Sequence, residues 1–351
     1  MNYYEKAKLA FESLRDRKDY YILAYESSCD ETACAVVRGR EVVSSVISSQ
    51  IDIHKRFGGV VPEIASRNHI LAIDSITDEA LSRAGIELKD IEVVAVTYGA
   101  GLLGALLVGL CYGKALAYGL GIPFIGINHI KGHIAANYIT RPDIDPPFIA
   151  LVTSGGHSSI FKVEGFLDRN IEILGETRDD AIGESFDKVA RVLGLGYPGG
   201  PAVEKLAKNG KNTFSFTRPF KGENHLDFSF SGIKTAVINT LSNASARGEE
   251  VNKEDLAFSF QLSAVSYVVD NTIEACRRTG IKRVLLAGGV GANNYLRNML
   301  TEEGNKNGVE VILPDVKYCT DNAAMIGVAA FEEIKAGALP SDLSLDADPS
   351  L

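Results

Sequence analysis

No tryptophan occurs among the 351 residues, an absence that excludes nothing by itself; other absences are more informative. The five cysteines, Cys29, Cys34, Cys111, Cys276 and Cys319, form no CxxC pair. That argues against a disulfide framework or a cysteine-rich zinc site and predicts a reducing compartment. No GxxxxGK[ST] is present, so the chain is not a P-loop protein. The opening "MNYYEKAKLAFESLRDRKDYY" is charged and lacks the apolar centre of a signal peptide. Excess positive charge is also missing: 36 Lys and Arg against 45 Asp and Glu leave a net charge of −9. A surface coated for nucleic acid is therefore not expected, although a local basic groove, or a partner that supplies one, is not excluded. The most apolar run, "GLLGALLVGLCYGKALAYGLGIPFIGI", contains Lys114, is crowded with glycine and reaches Pro123. It reads as a buried helix followed by a strand, and a soluble, cytoplasmic protein is expected.

What is present is ordinary globular composition, 46% apolar and 23% charged, at a length that favours two domains. The pattern alternates strand and helix. "YYILAYESS", "ACAVVRG" and "EVVSSVISSQ" read as strands, with "CDET" as a tight polar turn. "GVVPEIASRNHILAIDSITDEALSRAG" has helical spacing with Gly85 as its C-cap. "IEVVAVTYG" and "PFIGI" are further strands. "TRPDIDPP", residues 140–147, is the linker candidate. Beyond it the opening pattern recurs, because "PFIALVTSGGHSSIFKVEG" is again strand, small polar turn and strand. "DNAAMIGVAAFEEIKAG" is a helix for which Asp321 is the expected N-cap. The last dozen residues are expected to fray.

Three turns suit an anion. "ESSCDET" and "TSGGHSS" place small residues between strands, where backbone N–H groups can face a phosphate. "AGGVGANN" opens a helix, whose N-terminal N–H groups add to the same effect. Together they point to a nucleotide bound between two related domains. "GAGLLG" resembles a dinucleotide fingerprint only superficially, because no acidic ribose partner stands at the right distance.

"HIKGH" sets His129 and His133 one helical turn apart on one face, close enough to share a metal. Zinc peptidases with such pairs carry Glu beside the first His, whereas this chain has Ile130. Two imidazoles are also too few, so a third ligand must come from elsewhere in the chain.

The motifs "ESSCDET" (26–32), "GGVVPEIASRNH" (58–69), the run from Lys114 to Ile134, "SGGH" (154–157), "GESFDKVARVLGLGYPGGP" (183–201), "DFSFSGIKTA" (227–236), "GGVGAN" (288–293) and "CTDNAAMI" (319–326) occur in order. Together they closely resemble the TsaD family, also called Gcp and once labelled O-sialoglycoprotein endopeptidase, over roughly residues 20 to 340. The resemblance implies an α/β fold of two related domains of the actin, sugar-kinase and heat-shock-chaperone ATPase (ASKHA) type, with nucleotide in the interdomain cleft. The first would span 21–140 and the second 147–312, with 313–345 returning Asp321 to the cleft. The implied activity is transfer of threonylcarbamoyl from threonylcarbamoyl-AMP to N6 of the adenosine 3′ of the anticodon, position 37, in tRNAs reading codons that begin with A, with release of AMP.

The resemblance also supplies the missing ligand. It implies that His129, His133 and Asp321 bind one Fe2+ or Zn2+, a donor set suited to either metal. It places Val152, Thr153, Ser154, Gly155, Gly156, Asp187, Gly200, Glu204 and Asn293 at the substrate and nucleotide site. Asp187 would accept from the ribose hydroxyls. Asn293 stands at a helix start, where its amide either reads a base or caps the helix. Asp30 and Glu31 hold the position of the family's catalytic acids, Asp30 being the first choice; outside this motif a turn "DE" is merely solvated. Lys234 reads as a surface lysine, and His54 and His69 as core or surface residues. The implied partners are tRNA, a TsaB-like degenerate paralogue, a TsaE-like ATPase and a TsaC-type synthase that supplies the adenylate.

The chain departs from the family pattern in an extension over residues 1–20, in "GAGL" where "GPGL" is usual, and in "YESSC". None touches a proposed ligand. The alternatives are a small-molecule kinase of the same fold, which has no use for "HIKGH" with "TDN", and a non-catalytic scaffold subunit, in which metal ligands would be lost.

Overall fold

A computed structural model of the chain describes residues 2–220 and 224–351. The N-terminal extension forms α1 (Tyr3–Leu14), capped by Asn2, whose side chain accepts from Glu5 N while Glu5 accepts from Asn2 N. Its Ala7, Phe11 and Leu14 are buried and the Tyr3 hydroxyl donates to Ile122 O at 2.7 Å, so it is packed as part of the first unit. Residue 1 lies outside the described residues.

The chain continues through β1 (Tyr21–Glu26), β2 (Glu31–Arg38), β3 (Glu41–Ser49), the short α2 (Ile51–His54), α3 (Pro62–Ala84), β4 (Ile91–Gly99), α4 (Leu103–Leu120), β5 (Phe124–Asn128) and α5 (His129–Thr140). The sheet order is β3-β2-β1-β4-β5, antiparallel among the first three strands and parallel from β1 to β4 to β5. Central β1 is buried along almost its whole length, which is why "YILAYE" carries no polar alternation. Pro62 opens α3 and Gly85, at φ 67°, closes it. By length and composition α4 could cross a membrane. It instead lies on β4 with one face, including Leu106, Leu110 and Ala117, buried, and leaves Leu103 and Tyr118 exposed, so it is half buried rather than enclosed.

The second unit contains β6 (Phe148–Thr153), β7 (Ser158–Val163), β8 (Ile171–Glu176), α6 (Ile182–Leu193), α7 (Gly199–Ala207), α8 (Ser231–Ala246), α9 (Lys253–Thr279), β9 (Arg283–Ala287), α10 (Asn294–Asn307) and β10 (Glu310–Ile312). Its sheet runs β8-β7-β6-β9-β10, with β6 antiparallel to β7 and parallel to β9. Strand for strand this is the topology of the first sheet, so the echo between the two halves of the sequence is structural. Its core gathers Leu151, Phe186, Phe228, Phe260 and Leu286, each burial stabilising by about 2 kcal/mol.

The division into compact units is 1–144, 165–170 and 320–351 for the first, and 145–164 and 171–319 for the second. The chain leaves the first unit inside the Pro-rich linker, rejoins it briefly over 165–170 and returns for good at Thr320. It then forms α11 (Ala323–Lys335), buried along nearly all its length against α5, β1 and β2. The tail does not fray. Ser341 N donates to Phe124 O at 2.8 Å, Gly126 N to Ser341 Oγ at 2.9 Å and Asp348 N to Tyr98 O at 2.8 Å, so the tail covers the edge strand β5 and its open backbone groups.

Candidate active site

In the first unit α5 and α11 bring three ligand-type side chains together. His129 opens α5 and His133 follows one turn later. Their rings are 4.6 Å apart between centroids, and both Nε2 atoms converge on Asp321 Oδ1, at 3.5 Å for His129 and 3.2 Å for His133. The ligand atoms all lie within 4.8 Å of one another. Gly132 permits this approach, because a Cβ there would lie 2.6 Å from Ile326 Cδ1 of α11. Asp321 is not the helix cap. Asn322 takes that role, its side chain accepting from Met325 N at 3.0 Å.

The donor set fits a borderline metal. His133 is buried with neither ring nitrogen in a hydrogen bond among the described residues, an expensive state for a polar ring unless something else engages it. Burial opposes charge on His129, but the carboxylates of Glu26 and Asp321 more than offset it and push its pKa up to about 9. The same pairing with His129 outweighs burial at Glu26 and holds it below the usual range.

The β1–β2 turn of the same unit carries Asp30 and Glu31. Asp30 is buried, and its Oδ2 has no hydrogen-bond partner among the described residues. Burial, followed by the nearby Asp30 and Asp321 carboxylates, raises the Glu31 pKa. His69 straps the turn. Its Nε2 lies 2.9 Å from Cys29 O, which can only accept, so this nitrogen carries the proton and Nδ1 accepts from Thr32 Oγ1 at 2.8 Å. Burial lowers its pKa and keeps the ring neutral. His54 is equally buried, and its Nδ1 accepts from Val61 N at 3.2 Å. Both histidines are core residues.

The second unit gathers the residues expected at the nucleotide. Val152 and Thr153 end β6, buried, and the following turn is closed by Ser154 N donating to His157 O at 2.8 Å. Gly183 N at the start of α6 donates to Ser154 O at 3.2 Å. Gly155 and Gly156 face open space, with nothing within 4 Å of where a Cβ would stand. Gly288 is required: its φ is 88°, and a Cβ would lie 2.4 Å from Thr153 O. Asp187, one turn along α6 from Gly183, accepts from Gly199 N at 2.7 Å, and burial raises its pKa. Gly200 is open on its Cβ side.

Two residues have structural duties here. Asn293 caps α10, accepting from Leu296 N at 2.9 Å, while its Nδ2 donates to Gln261 Oε1 at 3.2 Å. The capping alternative is therefore the one realised. Glu204 Oε1 accepts from Asn294 N and Nδ2, both at 3.0 Å, and so holds the start of α10 against α7. Lys234 is no idle surface lysine, because its Nζ donates to Asp180 at 2.6 Å.

Comparison with known proteins decides the family. A family model described as "TsaD: tRNA N6-adenosine threonylcarbamoyltransferase" matches residues 41–328. The chain is 55% identical over 332 residues, 94% of its length and 97% of the relative's, to the tRNA N6-adenosine threonylcarbamoyltransferase of Clostridium beijerinckii. It belongs to the TsaD family. The Clostridium kluyveri protein of the same name is 52% identical over 337 residues, 95% of this chain and 98% of that one. Full-length HypF in its phosphate- and nucleotide-bound form superposes with a TM-score of 0.60 at 17% identity, over 92% of this chain and 56% of that one. The chain thus spans about half the length of HypF. The activator of 2-hydroxyisocaproyl-CoA dehydratase from Clostridium difficile, with ADPNP bound, gives 0.51 at 16% identity over 90% of this chain and 96% of that one. These likenesses match the repeated sheet topology and an ASKHA-type fold.

As a TsaD family transferase, the chain carries threonylcarbamoyl to N6 of adenosine in tRNA. The kinase and scaffold alternatives give way to this activity. Reading the sequence missed Glu26, a carboxylate in an otherwise apolar buried strand, and the strap formed by His69 and Thr32. For Glu26 the signal was available: a charge at the end of "YILAYE" needs a partner.

Proposed function

We propose that the donor is threonylcarbamoyl-AMP and the acceptor the adenosine 3′ of the anticodon, position 37, in tRNAs reading codons that begin with A. His129, His133 and Asp321 would hold one Fe2+ or Zn2+, which when bound supplies Lewis acidity and a template for the acyl group. The adenosine N6 attacks the carbamoyl carbon, the new C–N bond forms, the C–O bond to phosphate breaks, and AMP leaves. Asp30 accepts the hydrogen bond of the attacking amine and takes its proton. Glu31 stands beside it as the second acid of the turn.

The nucleotide is bound by the second unit. The turn Val152–Gly156 faces its phosphate, Gly200 leaves room for close approach, and Asp187 accepts from the ribose. Glu204 and Asn293 support this surface by fixing the start of α10. The nucleotides bound to HypF and to the dehydratase activator support the reading by analogy of fold. The acidic chain works in the cytoplasm with a TsaB-like paralogue and a TsaE-like ATPase that help it hold anionic tRNA, while a TsaC-type synthase supplies the adenylate.

The observation that carries the metal-assisted reading is the convergence of two buried imidazoles on Asp321. Mass analysis of tRNA nucleosides tests the whole, after incubation of unmodified tRNA with the protein, its partners and threonylcarbamoyl-AMP. Modified adenosine that depends on the added adenylate and is lost with a chelator is the expected result. Full yield with ATP in place of the adenylate, or with chelator throughout, would overturn it.

A further inference from the structure

Glu26 lies at the end of β1 with its side chain wholly excluded from solvent. A carboxylate in that position costs several kcal/mol unless its lone pairs are engaged. Oε2 accepts from Thr97 Oγ1 at 2.6 Å and faces His129 Nδ1 at 2.9 Å, while Oε1 accepts from Ser28 N at 2.5 Å. Ser28 Oγ is the other neighbour of that ring nitrogen, at 3.3 Å. Thr97 has one hydroxyl proton and Ser28 one N–H, so both are used as donors to Glu26. With its lone pairs directed at the ring, Glu26 requires the proton of His129 to reside on Nδ1. Once the ring has given up its second proton, the Nε2 lone pair is the one turned toward Asp321 and His133.

We propose that Glu26 is the positioning residue of this centre. It fixes the tautomer and the ring plane of His129 so that Nε2 is presented to a metal ion, with Thr97 and the Ser28 amide holding the carboxylate in place. The inference rests on the reading that His129, His133 and Asp321 bind a metal, and goes beyond it by assigning a role to a residue that touches neither metal nor substrate. The asymmetry between the two histidines supports it. His129 has an oriented partner on Nδ1, whereas His133 has no hydrogen bond at either nitrogen among the described residues. Outer carboxylates of this kind make an imidazole a better donor and typically change metal affinity by about 10–100-fold.

The test uses the full chain with Zn2+ alone as the probe. Zinc affinity is measured by chelator competition for wild type, Glu26→Gln and Thr97→Val, with circular dichroism and thermal melting to verify folding. Glu26→Gln keeps the shape but can donate as well as accept, so it no longer dictates the tautomer. It should bind zinc at least about tenfold more weakly, and Thr97→Val should show a smaller loss. Long-range nitrogen-15 spectra of zinc-loaded wild type should show the His129 proton on Nδ1, a readout that stands even if the Gln variant does not fold. A folded Glu26→Gln with less than a tenfold loss, or a His129 proton on Nε2, would overturn the assignment. Wild type that binds no zinc and no iron would instead remove the metal reading itself.

Discussion

Asn322 caps α11 by accepting from Met325 N at 3.0 Å, and Asp321, one residue earlier, stands 3.2 Å from His133 Nε2. Cap and candidate ligand are adjacent but separate. An Asp321 that capped the helix would have its carboxylate directed at the N–H groups of the first turn, not at α5. The "TDN" motif thus divides two tasks between two short polar side chains.

The first prediction follows from that division. His133→Ala removes one of three donors and should abolish stoichiometric iron or zinc. The truncation also leaves a cavity in a closed core and should cost about 2–3 kcal/mol without unfolding the chain. Elemental analysis of folded protein is the measurement. Metal content near that of wild type would remove His133 from the centre.

His69→Ala should loosen the turn that bears Asp30. It leaves Cys29 O and the Thr32 hydroxyl without their partner, a loss of about 1–3 kcal/mol in denaturant unfolding. Thr32→Val removes a single hydroxyl and should cost about 1 kcal/mol. Equal stability of His69→Ala and wild type would show that the strap contributes nothing.

Asp187→Asn should weaken AMP binding about tenfold, equivalent to about 1.4 kcal/mol, if a charge-assisted hydrogen bond to ribose is lost. The pH dependence has two opposite parts. Burial raises the Asp187 pKa, so below it the carboxyl is protonated and AMP affinity measured by calorimetry should fall. The ligand-free fold, by contrast, gains from this group as pH falls, because the folded state binds the proton more tightly than the unfolded chain. AMP affinity that is independent of pH through this range, together with unchanged binding in Asp187→Asn, would exclude the ribose contact.

Asp30→Ala should retain metal and AMP yet lose transfer to tRNA by about 10² or more, the scale for a positioned acid–base group. Direct addition of threonylcarbamoyl-AMP should not restore it, because the defect lies in transfer and not in activation. Wild-type levels of modified adenosine from this variant would leave Asp30 as a turn residue.

Most strands, the helices α3, α4, α5, α10 and α11 and the repetition of strand–turn–strand in the two halves were legible in the sequence, because buried strands read as apolar runs and helix ends carry local chemistry such as Gly85, whereas β8 and the helices α6 to α9 of the second unit were not read from it. The one-turn spacing of His129 and His133 likewise fixed their shared face. The third partner could not follow from spacing, since Asp321 reaches the histidines only when the chain has passed through the second unit and α11 has packed on α5. Nor could the sequence distinguish an Asn293 that reads a base from one that caps α10, or assign Glu26, His69 and Glu204 their contacts. Those roles are set by which donors and acceptors meet after burial, and burial is a property of the assembled fold. Local pattern determined the elements and the kinds of chemistry available; tertiary packing decided which polar groups lost water and therefore which had to find each other.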